Sequence, residues 1–162
     1  MKSITIIRHG KSSWEHDVTD RERPLKTRGI NDIKLVANQY VKASFLSESI
    51  YSSPANRALS TCKIFLKSLK ISENKINVVE ELYDFEGRNV VDFVKNLSND
   101  VNDVMIFGHN NALTSISNIF GDVYIDNLPT SGLVKLNFDI NEWKDLKQGT
   151  TEFIIIPKEL KQ

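Results

Sequence analysis

The amino-acid sequence predicts an α/β fold with three layers, in which helices cover both faces of a mostly parallel central sheet with an antiparallel edge. Two patterns predict it. Short β-branched runs alternate along the chain with longer segments whose apolar residues recur at helical spacing, and this alternation is typical of parallel sheets with crossover helices. The last two runs are joined by a turn-rich connection, which indicates at least one antiparallel edge.

The predicted elements follow in chain order. Each strand is a short run rich in β-branched or aromatic residues, and each helix repeats apolar residues three and four positions apart. The second helix has the strongest start signal, because Ser53 suits an N-cap and Pro54 the first helical position. The order is a strand over 4–7, a helix over 30–41, a strand over 49–52, a helix over 55–69, a strand over 76–79, a helix over 90–97, a strand over 104–107, a helix over 113–120, and strands over 133–138 and 153–156.

Polar residues follow three of these strands directly. Arg8 and His9 follow the first strand, residues 53–57 follow the second with Arg57 in the first turn of the next helix, and His109 follows the fourth. Ligands of open α/β sheets bind beyond the carboxyl ends of the strands. We therefore expect two arginines and two histidines to converge on one crevice.

Composition narrows the function classes. The 21 Lys and Arg balance the 21 Asp and Glu, and 40% of the residues are hydrophobic, which argues against a nucleic-acid binder and against a disordered chain. The length predicts one domain over 1–162. The neutral total hides an asymmetry, because residues 1–70 carry 13 basic and 6 acidic side chains and residues 71–132 carry 3 and 10.

Cysteine usage and hydropathy predict the compartment. The single Cys62 cannot form an intramolecular disulfide and falls on the apolar face of its helix, where we expect it in the core. Charges interrupt every apolar run, so that neither a signal peptide nor a membrane helix is expected. These features predict a cytoplasmic protein without a membrane segment.

The expected crevice suits a phosphoryl group. A guanidinium group can donate two parallel hydrogen bonds to two oxygens of a phosphate, and the first turn of a helix adds backbone N–H donors. A neutral imidazole serves as a nucleophile and a charged one as a donor. The segment Gly10-Lys11-Ser12 imitates the end of a P-loop, but the earlier glycine of that motif is replaced by Thr5, which excludes the motif.

These residues resemble the histidine phosphatase superfamily, whose fold is also called phosphoglycerate mutase-like. The resemblance rests on Arg8-His9-Gly10, on Arg57 within Ser-Ser-Pro-Ala-Asn-Arg-Ala, and on Gly108-His109. A longer string looks like the SixA branch of phosphohistidine phosphatases: Arg8-His9-Gly10-Lys11-Ser12-Ser13-Trp14, then Asp20, Arg23-Pro24-Leu25 and Arg28-Gly29. It covers most of the chain, from Ile4 to about Phe120.

The resemblance implies a role for each residue. His9 would attack phosphorus and become phosphorylated, while Arg8, Arg57 and His109 would bind the equatorial oxygens and stabilise the transition state. Water would then hydrolyse the phosphohistidine. No cofactor and no metal ion is expected, because the sequence shows no convincing ligand cluster.

The general acid is the open position. Related mutases and phosphatases carry a glutamate after the third strand, and the matching segment here contains Asp84, with Glu81 and Glu86 as alternatives beside the possibility that no residue serves. A phosphorylated imidazole can be protonated before it leaves, whereas an alkoxide needs a proton in the transition state. A missing acid would therefore favour P–N substrates, and so does Glu15, which stands where mutases usually have asparagine.

The sequence thus predicts a metal-independent phosphatase that dephosphorylates phosphohistidine in a protein partner. The alternatives are a phosphatase of a small phosphate monoester and a phosphate-binding interaction module without turnover. A monomer is expected, because no heptad pattern or long apolar edge indicates an oligomer.

Overall fold

A mixed sheet of six strands runs through the centre of the protein in the order β3-β2-β4-β1-β5-β6. The computed structural model describes residues 1–44, 47 and 49–161. The strands are β1 Lys2–Arg8, β2 Ser49–Ser52, β3 Ile76–Val78, β4 Asp103–Gly108, β5 Leu133–Phe138 and β6 Thr150–Ile155. The helices are α1 Thr27–Ala43, α2 Asn56–Ser68, α3 Arg88–Lys95, α4 Ala112–Phe120 and α5 Pro157–Leu160.

Four strands run parallel and two complete an antiparallel side. β4 pairs in parallel with both β1 and β2, and β2 pairs in parallel with β3. β5 lies antiparallel to β1 and β6. The mostly parallel sheet with an antiparallel edge is therefore confirmed. Because Arg8 pairs with Gly108 and Ser52 with Phe107, three parallel strands end at nearly the same level.

Alternate side chains of the sheet enter two separate cores. Ile4 and Ile6 of β1 belong to a core that includes α3 and α4, whereas Ile7 belongs to a core with α1 and α2. Helices thus cover both faces, which confirms the three layers. Cys62 lies fully buried in the second core, as predicted, and burial raises the pKa of its thiol.

The start of α2 differs from the prediction. Ser53 and Pro54 precede the helix, which begins at Asn56 with Ala55 as its N-cap. The backbone of Ala55 is not helical, with a φ of −59° and a ψ of 135°, and the hydroxyl of Ser53 accepts a hydrogen bond from the Ala55 N–H at 3.2 Å. The predicted cap is wrong by two residues, because Ser53 belongs to a turn between the strand and the helix. Arg57 still lies in the first turn of α2.

Helix α1 begins at Thr27, before the predicted start, and its first turn lies against the loop that follows β1. A Cβ atom at Gly29 would lie 2.4 Å from the carbonyl oxygen of Lys11, so only glycine permits this approach. The packing brings α1 close to the Arg8-His9-Gly10 segment. Within the described residues, no helix has both the length and the apolar character that a bilayer span requires.

Candidate active site

The two predicted histidines lie side by side beyond the ends of β1 and β4. The backbone N–H of His9 donates to the carbonyl of Gly108 at 3.1 Å, which continues the parallel pairing by one residue. The His9 and His109 ring centroids are 5.3 Å apart. The ends of β1 and β4 thus place the two imidazole rings next to each other.

The ring of His9 is oriented by its own loop. Nδ1 lies 2.7 Å from the carbonyl oxygen of Gly10, and because a carbonyl can only accept, the hydrogen of the neutral ring is on Nδ1. The lone pair is therefore on Nε2. Burial lowers the pKa of His9 to about 4, although the Gly10 carbonyl opposes this shift, and Arg57 and Arg8 lower it further. At neutral pH the ring is neutral and has an unprotonated nitrogen.

His109 is 1% exposed and is held by the turn before α2. Its Nε2 lies 2.8 Å from the hydroxyl of Ser53, whose backbone N–H donates to the Phe107 carbonyl of the neighbouring strand. Burial lowers the pKa of His109 to about 3, and the charges of His9 and Arg57 lower it further. Ser53, which the sequence predicted to be a helix N-cap, is thus a part of the site.

Arg57 reaches the site from α2 with a side chain only 3% exposed. One terminal nitrogen donates to the backbone carbonyl of Asp20 at 2.7 Å and the other to the Asp20 carboxylate at 3.0 Å. Thr61, one turn later, donates to the Arg57 carbonyl and accepts the N–H of Gly10, which joins α2 to the loop of His9. Asp20 thus fixes the guanidinium, and Thr61 fixes the backbone from which the side chain extends.

Asp20 connects Arg57 with two more side chains. Its carboxylate accepts hydrogen bonds from the hydroxyl of Tyr83 and from Arg23, the latter at 3.2 Å. Partial burial raises the pKa of Asp20, but the hydrogen bonds from Tyr83 and Arg57 outweigh this effect and hold the pKa at about 2. Asp20 is consequently ionised at any working pH. The sequence offered no sign of this partnership, because 37 residues separate Asp20 from Arg57.

The buried Arg23 contacts three of the residues that follow His9 in the sequence. Arg23 donates to the carbonyl of Ser13 at 3.3 Å and to the hydroxyl of Ser12, and its guanidinium lies 3.2 Å from the ring centroid of Trp14. These contacts join the segment after β1 to the segment before α1. The two segments form one wall of the site.

Four buried polar atoms have no hydrogen-bond partner within the described part of the chain. They are Nε of Arg8, Nε of Arg57, Nδ1 of His109 and the hydroxyl of Ser131. Buried polar groups are almost always paired, so unpaired groups on four residues that pack against His9, or act on it electrostatically, indicate a polar ligand. All four belong to groups that can donate a hydrogen bond to an anion.

Ser131 is a site residue that the sequence did not indicate. It is fully buried at the entrance of β5, and its N–H donates to the carbonyls of Arg8 and His9 at 3.1 and 3.0 Å. Its φ of 64° lies in the left-handed region, which a non-glycine residue seldom adopts outside functional sites and turns. The following Gly132 is a weak sign of a turn, but nothing in the sequence indicates the buried hydroxyl.

Asp84, the predicted general acid, forms a helix cap. Its two carboxylate oxygens accept four backbone N–H groups at 3.0–3.2 Å, from Glu86, Gly87, Asn89 and Val90, at the start of α3. Both oxygens of Asp84 are therefore used as acceptors of backbone N–H groups at the start of the helix. The alternatives Glu81 and Glu86 are exposed. The geometry therefore disfavours the role predicted for Asp84 and gives it a structural one.

In residues 1–44, 47 and 49–161, no three His, Cys, Asp or Glu side chains come together in a group that could hold a metal ion. Asp20 is the anionic member of the network and is already bound to Arg57, whereas the unpaired buried groups belong to two arginines, a histidine and a serine, a set that suits an anionic ligand.

Comparison with known protein families gives one match that covers half of the chain. The model of the histidine phosphatase superfamily, branch 1, matches residues 4–89. An uncharacterized protein of Mycobacterium tuberculosis is 23% identical over 159 residues, covering 91% of this chain and 96% of that protein. An uncharacterized chloroplastic protein of Arabidopsis thaliana is 23% identical over 153 residues, covering 89% and 70%.

Solved structures share the fold. The protein histidine phosphatase SixA in complex with tungstate matches with a TM-score of 0.83 at 23% identity, covering 98% of this chain and 99% of that one. The mycobacterial glucosyl-3-phosphoglycerate phosphatase matches with a TM-score of 0.68 at 11% identity, covering 94% and 97%. The phosphoglycerate mutase-like fold expected from the sequence is thereby confirmed.

Proposed function

The chain belongs to the histidine phosphatase superfamily, and on that premise we propose that it is a phosphatase that uses His9 as its nucleophile and acts on phosphohistidine in a protein partner. The observation that carries the proposal is the convergence of unpaired buried groups from Arg8, Arg57 and His109 around the His9 ring. Such a cluster meets the needs of a phosphoryl group, which offers several acceptor oxygens at once.

In the first step, Nε2 of His9 attacks phosphorus with its lone pair. A bond forms between Nε2 and phosphorus, and the bond from phosphorus to the leaving group breaks with its electron pair. The contact between Nδ1 and the Gly10 carbonyl prepares this step, since it keeps the hydrogen on the opposite nitrogen and supports the positive charge that develops on the ring.

In the second step, water attacks the phosphorus of phosphorylated His9. The bond between phosphorus and Nε2 breaks, the electron pair returns to the ring, and inorganic phosphate leaves. The charges of Arg8 and Arg57 act on the His9 ring, and in this step the two guanidinium groups stabilise the equatorial oxygens, where negative charge is spread in the transition state. Two arginines and no metal ion supply the positive charge in this proposal.

His109 is proposed as a further donor to the phosphoryl oxygens. When the Ser53 hydroxyl donates to Nε2, the hydrogen of the neutral His109 ring is on Nδ1, and this is the nitrogen without a protein partner. A neutral donor suits this position, because the pKa of His109 is lowered to about 3 by burial and by neighbouring cations.

The substrate assignment rests on the leaving group. Asp84 is engaged in four hydrogen bonds from backbone N–H groups, so the site lacks a good proton donor at the predicted position. An imidazole that is already protonated leaves without a general acid, whereas an alkoxide does not. The name of the structural neighbour SixA, a protein histidine phosphatase, is in keeping with this assignment.

A small phosphate monoester is the second candidate substrate. The glucosyl-3-phosphoglycerate phosphatase has the same fold and acts, by its name, on an ester of that kind. The cytoplasmic location and the monomeric state expected from the sequence stay predictions under both assignments.

A substrate comparison tests the proposal. We expect the protein to hydrolyse a phosphohistidine domain and phosphoramidate with kcat/KM values about a hundredfold above those for sugar phosphates, since only the esters need a general acid. His9→Ala should abolish all activity, and His16→Ala, which changes an exposed histidine, should leave it unchanged. Preference for a monoester would overturn the substrate assignment, and full activity of His9→Ala would overturn the mechanism.

A further inference from the structure

Two aromatic side chains stand next to His109 on the side that faces solvent. The ring centroid of Phe85 lies 5.1 Å from that of His109, and the Tyr83 centroid lies 5.2 Å from it. His109 is 1% exposed, but Phe85 is 46% exposed. An apolar ring is therefore presented to solvent one ring away from the proposed phosphoryl site.

Tyr83 holds this surface in place. Its hydroxyl donates to the Asp20 carboxylate, and the Arg21 guanidinium lies 5.7 Å from its ring centroid. Phe85 packs edge-on against Tyr83, with centroids 5.5 Å apart and planes at 68°. The loop after β3 thus places Phe85 on a rigid neighbour that is itself joined to Arg57 through Asp20.

The three rings differ in their exposure to solvent. His9 is 8% exposed and His109 is 1% exposed, with ring centroids 5.3 Å apart, whereas Phe85 is 46% exposed and is the outermost of the three rings. In an in-line displacement the leaving group lies opposite the attacking nitrogen. Because both histidines are buried, a leaving group opposite His9 lies toward solvent, and Phe85 is the exposed ring that borders the pair of histidines on that side.

We infer that Phe85, supported by Tyr83, is a specificity-determining residue that stacks on a planar aromatic leaving group bonded directly to phosphorus. Under the proposed function, on which this inference rests, that group is the imidazole ring of phosphohistidine. The chemistry of both rings suits the contact. Aromatic rings attract each other in offset or edge-on packing, and the face of phenylalanine attracts a cation such as the protonated imidazole of the leaving group.

Stacking of this kind acts on some substrates and not on others. Phosphoramidate presents the same P–N bond but no ring, so its hydrolysis uses the arginines and His9 without the Phe85 surface. Aromatic pairs change equilibria by roughly threefold to tenfold. Loss of the ring should therefore lower the preference for phosphohistidine over phosphoramidate by about that factor.

The kinetic experiment compares Phe85→Leu, which removes the ring and keeps an apolar side chain, with Phe85→Tyr, which keeps a ring. Phe85→Leu should lower kcat/KM for a phosphohistidine peptide by about threefold to tenfold and leave that for phosphoramidate unchanged, and Phe85→Tyr should retain the preference. Val41→Ala, at a residue that is 50% exposed near the C-terminal end of α1, is the matched control. Equal effects of Phe85→Leu on both substrates, or none on either, would overturn the inference.

A binding experiment separates this inference from the proposed function. Calorimetry should show that phenylphosphonate binds more tightly than methylphosphonate to the wild-type protein, and that Phe85→Leu removes the difference while methylphosphonate binding is unchanged. This result does not require turnover. A protein that hydrolyses neither P–N substrate would refute the proposed function, whereas equal binding of the two phosphonates to the wild type would refute the role of Phe85.

Discussion

Acidification is the perturbation that tests the electrostatics of the site most sharply. Burial lowers the pKa of His9 to about 4 from an ordinary value of 6.5. At pH 5.5 a group with a pKa of about 4 is about 97% neutral, whereas an ordinary histidine is about 9% neutral. The nucleophile should therefore stay available at pH 5.5, where an unperturbed imidazole would have lost about nine-tenths of its neutral form.

The same shift makes folding depend on pH. Because the pKa is lower in the folded than in the unfolded state, the unfolded chain binds more protons between pH 4 and 6.5, and stability rises with pH through this window. Between pH 7.5 and 5.0 the His9 contribution to the unfolding free energy should fall by about 2 kcal/mol. The contribution is absent in His9→Gln, which has no titratable group at this position.

Two measurements examine these numbers. Nuclear magnetic resonance of the ring signals, assigned with His9→Gln, should show His9 still neutral at pH 5.5. Urea unfolding of wild type and His9→Gln at pH 7.5 and 5.0 should show a stability difference that changes by about 2 kcal/mol between the two pH values. A His9 midpoint near 6.5, or a stability difference independent of pH, would refute the reasoning.

Three substitutions test other parts of the site. Asp84→Asn removes a charged acceptor from the start of α3 and should lower the unfolding free energy, measured in urea, by about 1–2 kcal/mol. The folded variant should keep its activity on phosphoramidate. Loss of activity without loss of stability would instead support Asp84 as the general acid. Arg57→Lys replaces a fork with a point charge and should lower kcat/KM by about a hundredfold in a steady-state assay, and a change below threefold would contradict its role. Ser131→Ala removes an unpaired buried hydroxyl, so thermal unfolding should show no loss of stability. Calorimetry should show that phosphate binding is weakened by roughly threefold to tenfold. Unchanged binding would exclude a contact between this hydroxyl and the anion.

The sequence was sufficient to predict the sheet. It was also sufficient to predict that four residues lie close together: Arg8, His9, Arg57 and His109. Apolar periodicity located the strands, and residues just after parallel strands must gather at one edge of the sheet. The structure brings these four residues together, because β1, β2 and β4 are neighbours with matched ends. Local patterns and one topological rule were sufficient for this part.

The residues that support this group could not be predicted in the same way. Asp20 lies in a charged loop, where an acidic residue usually faces solvent, and its bond to Arg57 depends on how that loop packs on α2. Ser53 looked like a helix cap, because a serine before a proline carries the same local signal in a turn. Asp84 aligned with an acid, but its orientation is set by the N–H groups of α3, which lie three to six residues farther along the chain.

The covalent intermediate on His9 is the most direct test of the proposed mechanism. After brief incubation with phosphoramidate and rapid quenching in alkali, which preserves phosphohistidine, mass spectrometry of peptides should find one phosphoryl group on His9. Phosphorus magnetic resonance should assign it to Nε2, the nitrogen opposite the Gly10 contact. A protein that turns over substrate without a labelled His9, or that carries the label on His109 or on Nδ1, would contradict the mechanism.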